Sequence, residues 1–135
     1  MKLTTIVLVA SLLPATSILA QTIVSVAALP PVVVKTVPQS GELTVDRTLK
    51  EIRVTFSKDM MTNEMWSWVQ IDAATFPRVT SKARFLDDKR TCILPVQLAP
   101  ARTYAVWINS EEHRNFRDLG NRPAVPYLLV FQTRP

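Results

Sequence analysis

The chain has 135 residues, with ten Pro, two Gly, one Cys and a formal net charge of +5. One cysteine excludes an internal disulfide framework, and this much proline with so little glycine argues against long helices. The basic residues are spread along the chain, which supplies no concentrated nucleic-acid patch but a mild attraction for anionic polymers.

Residues 1–20 have the layout of a secretory signal peptide. Met1-Lys2 is the positive start, Leu3 to Leu13 is uncharged and mostly apolar, and Pro14 breaks the run. Ala15 to Ala20 then leads to Gln21, which predicts cleavage after Ala20, although Ile18 stands where a small residue is usual. Val26-Ala27-Ala28 offers a second cleavage point. The competing reading is a retained anchor, but a spanning helix needs about 20 apolar residues, and Pro14, Thr16, Ser17 and Gln21 interrupt this stretch. There is no nearby Cys to carry a lipid. Removing residues 1–20 leaves 115 at +4, Lys2 being the one charge lost, which is enough for one domain with one core. The expected organisation is a signal peptide at 1–20, a lead-in at 21–30 and a single domain at 31–135, with no membrane span after cleavage.

The first strand is expected over Val32–Val37, and Pro38-Gln39-Ser40-Gly41 turns the chain. The second runs from about Lys50 to Ser57. Ile52, Val54 and Phe56 there alternate with Arg53, Thr55 and Ser57, the period of a strand with one buried face. Met65–Ile71 reads as a third strand. Val79, Ser81, Ala83 and Phe85 alternate as a fourth, and Asp87-Asp88-Lys89-Arg90 is a polar hairpin turn. Thr91–Leu98 returns with Cys92, Leu94, Val96 and Leu98 inward, while Pro95 on the other register suggests an edge or a bulge. Thr103–Asn109 follows, with Tyr104, Val106 and Ile108 inward. Ser110–Pro126 is a long polar loop, and Tyr127–Thr133 closes the domain. Seven short strands at this spacing predict an all-β, antiparallel two-sheet sandwich. Its core is expected from Ile52, Val54, Phe56, Phe85, Leu94, Val96, Tyr104, Val106, Ile108 and Phe131.

Several of these segments together resemble a known family. Pro38-Gln39-Ser40-Gly41 followed by Ile52 to Met60, with its Phe56-Ser57 strand end, is similar to the opening of bacterial Ig-like domains of the SbsA type. Leu98 to Tyr104 is similar to that family's Leu-x-Pro-Gly-x-x-Tyr segment, with Ala101 where the family has Gly. Asp118-Leu119-Gly120-Asn121 matches its Asp-x-x-Gly-Asn loop, and Phe131-Gln132-Thr133 its closing Phe-x-Thr. The resemblance covers about residues 31 to 134 and implies an Ig-like sandwich serving as a structural or adhesion module. In Ig-like sandwiches a tyrosine before or within the sixth strand bonds back to the backbone. Tyr104 is placed for that role, its hydroxyl seeking a backbone acceptor, while Asp118, Gly120 and Asn121 shape the last loop.

Three constellations compete as a working surface. The loop residues Glu111, His113, Arg114, Phe116 and Arg117, with Trp107 out of register with the inward set, form a mixed polar and aromatic group suited to a protein contact. An exposed sheet edge offering strand addition is the other form this reading takes. Trp66 and Trp68 share a strand face and either pack in the core or offer a stacking platform for sugars. Met60, Met61, Met65 and His113 could hold copper, because thioether sulfur suits Cu(I). Periplasmic copper carriers of the copper-resistance C type have similar openings, but rely on a His at the mature N-terminus, which is absent here. Asp87, Asp88, Glu111, Glu112 and Asp118 lack the spacing of a calcium loop. One His, no nucleophile elbow and an inward Cys92 provide no catalytic triad, and there is no Gly-rich phosphate loop. The sequence therefore predicts an exported, non-catalytic module of the periplasm, envelope or exterior. It needs no cofactor or metal and binds an unknown protein or envelope polymer rather than nucleic acid. Its oligomeric state stays open, and a copper carrier and a carbohydrate-binding module are the alternatives.

Overall fold

The structure, a computed structural model, describes residues 2–3, 10–20 and 24–135. The expected leader thus lies partly outside the described residues. Its described parts, 2–3 and 10–20, carry no regular structure and leave Leu3, Leu12, Leu13, Ile18 and Leu19 exposed.

Eight strands form: β1 (Val33–Val37), β2 (Glu51–Phe56), β3 (Trp68–Gln70), β4 (Arg78–Val79), β5 (Arg84–Phe85), β6 (Thr91–Gln97), β7 (Thr103–Ile108) and β8 (Tyr127–Gln132). They build two antiparallel sheets. One has the order β1-β2-β6-β4, with β5 also paired to β6, and the other the order β3-β7-β8. The alternation in β2 is realised: Ile52, Val54 and Phe56 are buried, and each row runs inward across the sheet through Leu94 and Cys92 of β6. From the facing sheet come Tyr104, Ile108, Leu129 and Phe131, and the two sets close one core. Area removed from water between the inner faces is the main stabilising term of such a sandwich.

The fourth expected strand is two. Arg78 and Val79 pair with Gln97 and Val96, whereas Arg84 and Phe85 pair with Ile93 and Cys92. Pro95 lies between these two stretches of β6 and has no N–H to donate, so a continuous ladder cannot pass it. The chain bows away over residues 80–83, and Thr80 N–H alone reaches the Pro95 carbonyl at 3.0 Å. Val79 and Ser81, expected inward, are exposed as a result, while Ala83 is buried and Phe85 half-buried. The third strand is likewise shorter than expected. It covers three residues, because Glu64 turns at φ 58° and Ser67 already bonds the end of β7 through its carbonyl to Asn109 N–H.

Tyr104 lies in the core, stacked on Phe131 with ring centroids 5.3 Å apart. Its hydroxyl accepts a 2.7 Å hydrogen bond from the Ala99 backbone N–H. The expected direction is therefore reversed: the group tied back is a donor. Thr133 closes the same corner, its hydroxyl donating to the Ala99 carbonyl at 2.6 Å and accepting from Arg102 N–H at 3.0 Å. Ala101 takes the left-handed conformation at φ 51°, so the turn keeps the geometry that Gly would provide. Tyr104→Phe strands the Ala99 N–H and costs about 1–3 kcal/mol, to be read from urea melts.

Cys92 is buried in the core. Burial pushes its thiol up to about 12, the neighbouring Trp68 indole and Ile93 N–H opposing only weakly. The Trp68 N–H itself has no partner within hydrogen-bonding distance. The reactive species is the thiolate, so the native chain resists alkylation at pH 8, and the unfolded chain reacts at once. A native protein that labels rapidly would contradict this packing.

Candidate functional site

The loop after β7 is a stitched structure rather than a free polar loop. Asn109, fully buried at φ 56°, donates from Nδ2 to the carbonyls of Phe116 (2.9 Å) and Ala124 (3.0 Å) and accepts Phe116 N–H on Oδ1 at 3.0 Å. One side chain thus satisfies three backbone groups that would otherwise be stranded in the core. Sequence reasoning missed it. The available signal was an Asn at a strand end, the residue type that tolerates a left-handed backbone.

Phe116, expected on the loop surface as a contact residue, is 0% exposed. It touches Phe56, Trp68 and Phe85, with ring centroids at 5.0, 5.5 and 6.2 Å. The correction follows from the Asn109 clamp, which pulls the middle of the loop back over the open end of the sandwich. An apolar ring held there gains more from the core than from water.

The remaining expected contact residues are divided among three places. Trp107, half-exposed on the outer face of the three-stranded sheet, borders a depression of about 440 Å³ with Glu111, Glu112 and Pro126. His113 lies on the open flank between β3 and β4, in a groove of about 650 Å³ whose walls include Trp66, Trp68, Phe76, Gln70 and Asn115. Arg114 is exposed and donates to the Glu111 carbonyl at 2.7 Å, and Arg117 donates to the Asn121 carbonyl at 3.1 Å. Trp68 faces inward opposite Ile108, whereas Val69 pairs with Trp107 on the outside. Trp66 is half-buried under Lys82, whose ammonium sits 5.9 Å from the ring centroid and pairs with Glu64. Of the methionines considered for copper, Met60 belongs to the core. Among the described residues no three His, Cys, Asp or Glu side chains gather as metal ligands.

The end of the sandwich near the N-terminus holds a charged clamp. Asp118 is 1% exposed and accepts from Lys58 Nζ at 2.7 Å and from the Arg122 guanidinium at 3.2 Å, both on Oδ2. Its other oxygen accepts the Arg122 N–H at 2.9 Å. Lys58 also donates to the carbonyls of Ala27 (3.0 Å) and Leu29 (2.8 Å), and Arg122 to Ala27 (2.9 Å). Burial raises the Asp118 carboxyl, but the bonds from Lys58 and Arg122 together outweigh it and hold the group below the usual carboxylate range. A Cβ at Gly120 would stand 2.8 Å from the Arg122 guanidinium and displace it from its present position. Asn121 completes the turn at φ 63°, its N–H donating to the Asp118 carbonyl at 2.9 Å. The lead-in is bound from Ala27 onward, and Val125 N–H fixes Pro31 through its carbonyl at 3.0 Å.

The family of bacterial Ig-like domains matches residues 27–133, from the clamped lead-in to the closing threonine. The chain belongs to that family. A solved structure shares the fold of this Ig-like domain, and a second aligns with it. A crystal structure of the S-layer protein SbsC is 17% identical with a TM-score of 0.50, and a structure of SbsC domains 1–6 is 15% identical with a TM-score of 0.46. Each alignment covers 80% of this chain and 14% of the other, so this Ig-like domain spans about one seventh of those proteins. No curated protein matches it.

Proposed function

We propose that the chain is an exported, non-catalytic Ig-like module of the cell envelope, acting as a binding or structural component through its outer sheet faces and its loop end. The family match across residues 27–133 carries this reading. The leader-like layout of residues 1–20 supports export. Among the two cleavage points, the one after Ala20 leaves the Ala27 carbonyl in place for Lys58 and Arg122, whereas cleavage after Ala28 removes it. Fractionation of cells expressing the full chain, with intact-mass measurement of the recovered protein, tests the reading. An envelope fraction whose chain starts at Gln21 is the expected result, and a full-length cytosolic product would defeat it.

A sugar-binding reading is favoured by one observation, the flank groove. Its half-buried rings Trp66, Trp68 and Phe76 are bordered by Gln70, Lys82, His113 and Asn115, polar groups able to bond hydroxyls. Quenching of tryptophan fluorescence by neutral oligosaccharides tests it.

A further inference from the structure

Strand register sorts the surface charges onto one face. Residues directly opposite each other in an antiparallel pair share a face, and successive residues alternate. On the outer face of the five-stranded sheet, one row runs Val37–Arg53–Ile93–Arg84, and the neighbouring row begins with Lys35 opposite Thr55. Arg78, opposite Gln97, continues the same face along β4. All of these cations are exposed. The acids facing them are Glu51, which pairs with Arg53, and Asp88 at the rim, whose oxygens are taken by Thr91 and the Arg90 N–H. Among the described residues Lys35, Arg78 and Arg84 have no ion-pair partner. The outer face of the other sheet is uncharged, with Val69, Ala105, Trp107, Leu128 and Val130 upon it.

Two arginines of the basic face have bonded partners, Arg53 with Glu51 and Arg78 with Gln97. Ile93 points outward yet is 1% exposed. Its row neighbours across the sheet are the exposed Arg53, which pairs with Glu51, and the exposed Arg84. Strands lie about 4.8 Å apart, so the backbone positions of these two arginines stand about 10 Å apart across β6. That is near the screening length at 0.1 M salt, so their fields overlap.

We infer that this face is a docking surface for an anionic polysaccharide, with Lys35, Arg53, Arg78 and Arg84 as the binding cations. The proposal rests on the envelope reading above and names its partner class. The face carries a depression of about 270 Å³ bordered by Lys35, Arg53 and Thr55, which gives a chain a place to seat. Gln97, whose Oε1 accepts from Arg78 at 3.2 Å, lies among the cations with its amide N–H groups to meet sugar hydroxyls. Among its paired residues no aromatic ring stands on it to stack a nucleotide base, and its exposed apolar side chain at the β1 bulge, Val34 beside Lys35, is a small one for entering a lipid surface.

The test uses the full chain and polygalacturonate, with duplex DNA and anionic lipid vesicles as competing probes, across a salt series. The expected result is saturable, salt-sensitive binding to polygalacturonate. Lys35→Gln with Arg84→Gln weakens it about tenfold and lowers the slope of log affinity against log salt by about one per cation removed. Arg47→Gln with Arg134→Gln removes the same charge from exposed positions elsewhere and changes affinity by less than about twofold. Unchanged melting temperatures show that both double variants fold. Equal weakening in the two variants, no binding, or tighter binding to DNA or vesicles overturns the proposal. A chain found in the envelope that ignores polygalacturonate ends this proposal alone. A chain confined to the cytosol ends the envelope reading and this proposal with it.

Discussion

Phe116→Ala lowers the unfolding free energy by about 3–5 kcal/mol, the cost of deleting a buried aromatic ring and leaving its cavity. Phe116 is where the loop after β7 meets the core. It lies among Phe56 of the five-stranded sheet, Phe85 of β5 and the inward Trp68 of the other sheet. Removing it leaves a void bordered by three rings from three elements, and rings fixed in two separate sheets cannot all collapse into it. Phe116→Leu retains much of the volume and costs less than half as much. Chemical denaturation with a tryptophan readout checks both, since Trp68 reports directly on the vacated space. A Phe116→Ala chain as stable as the parent would show that the loop does not cover the core.

Asp118→Asn is the second large effect, expected at about 3–5 kcal/mol, because it leaves Lys58 as an uncompensated charge with its side chain only 15% exposed. The same clamp sets an acid limit. The Asp118 carboxyl is lowered in the folded state, so the folded chain binds its proton less readily than the unfolded chain. Its contribution is complete above the ordinary carboxylate value near 3.8 and disappears as pH falls through the lower folded value. Acid titration of stability should therefore show a loss below about pH 4 that is smaller in Asp118→Asn. An equal acid loss in both chains would remove Asp118 from the account. Because Lys58 and Arg122 also hold Ala27, the variant should loosen residues 25–29 as well. Faster proteolysis of the lead-in would report this.

These two residues show what a linear reading could and could not supply. Phe116 sits in a segment of Glu, His, Arg and Asn that has no strand period, and nothing local marks one ring in it as core. Its burial comes from Asn109, which is seven residues away and acts through hydrogen bonds to three backbone groups. Asp118 reads locally as a turn-former, and it does bond its own turn through Oδ1 to Arg122 N–H. Its second role, to Lys58, joins positions 60 residues apart. The tryptophans divide on the same principle. Trp66 and Trp68 have the spacing of two residues on one strand face, but only pairing with β7 decides that Trp68 faces the core and Trp107 the outside. Likewise, the even spread of basic residues along the chain conceals a face. Lys35, Arg53, Arg78 and Arg84 come from four strands, and only their registers bring them together.

The sequence by itself determined the class of fold and most of its core. Period-two alternation in β2, β6 and β7 is a local property, and burying one side of each strand leaves a sandwich as the stable arrangement. Only the tertiary structure decided how the fourth strand breaks at Pro95, what the last loop covers, how far back the domain reaches toward the N-terminus, and which charges share a surface. Each of these depends on contacts between residues far apart in the chain. Their free energy exists only once the two sheets have closed, so no local pattern of residues can announce them.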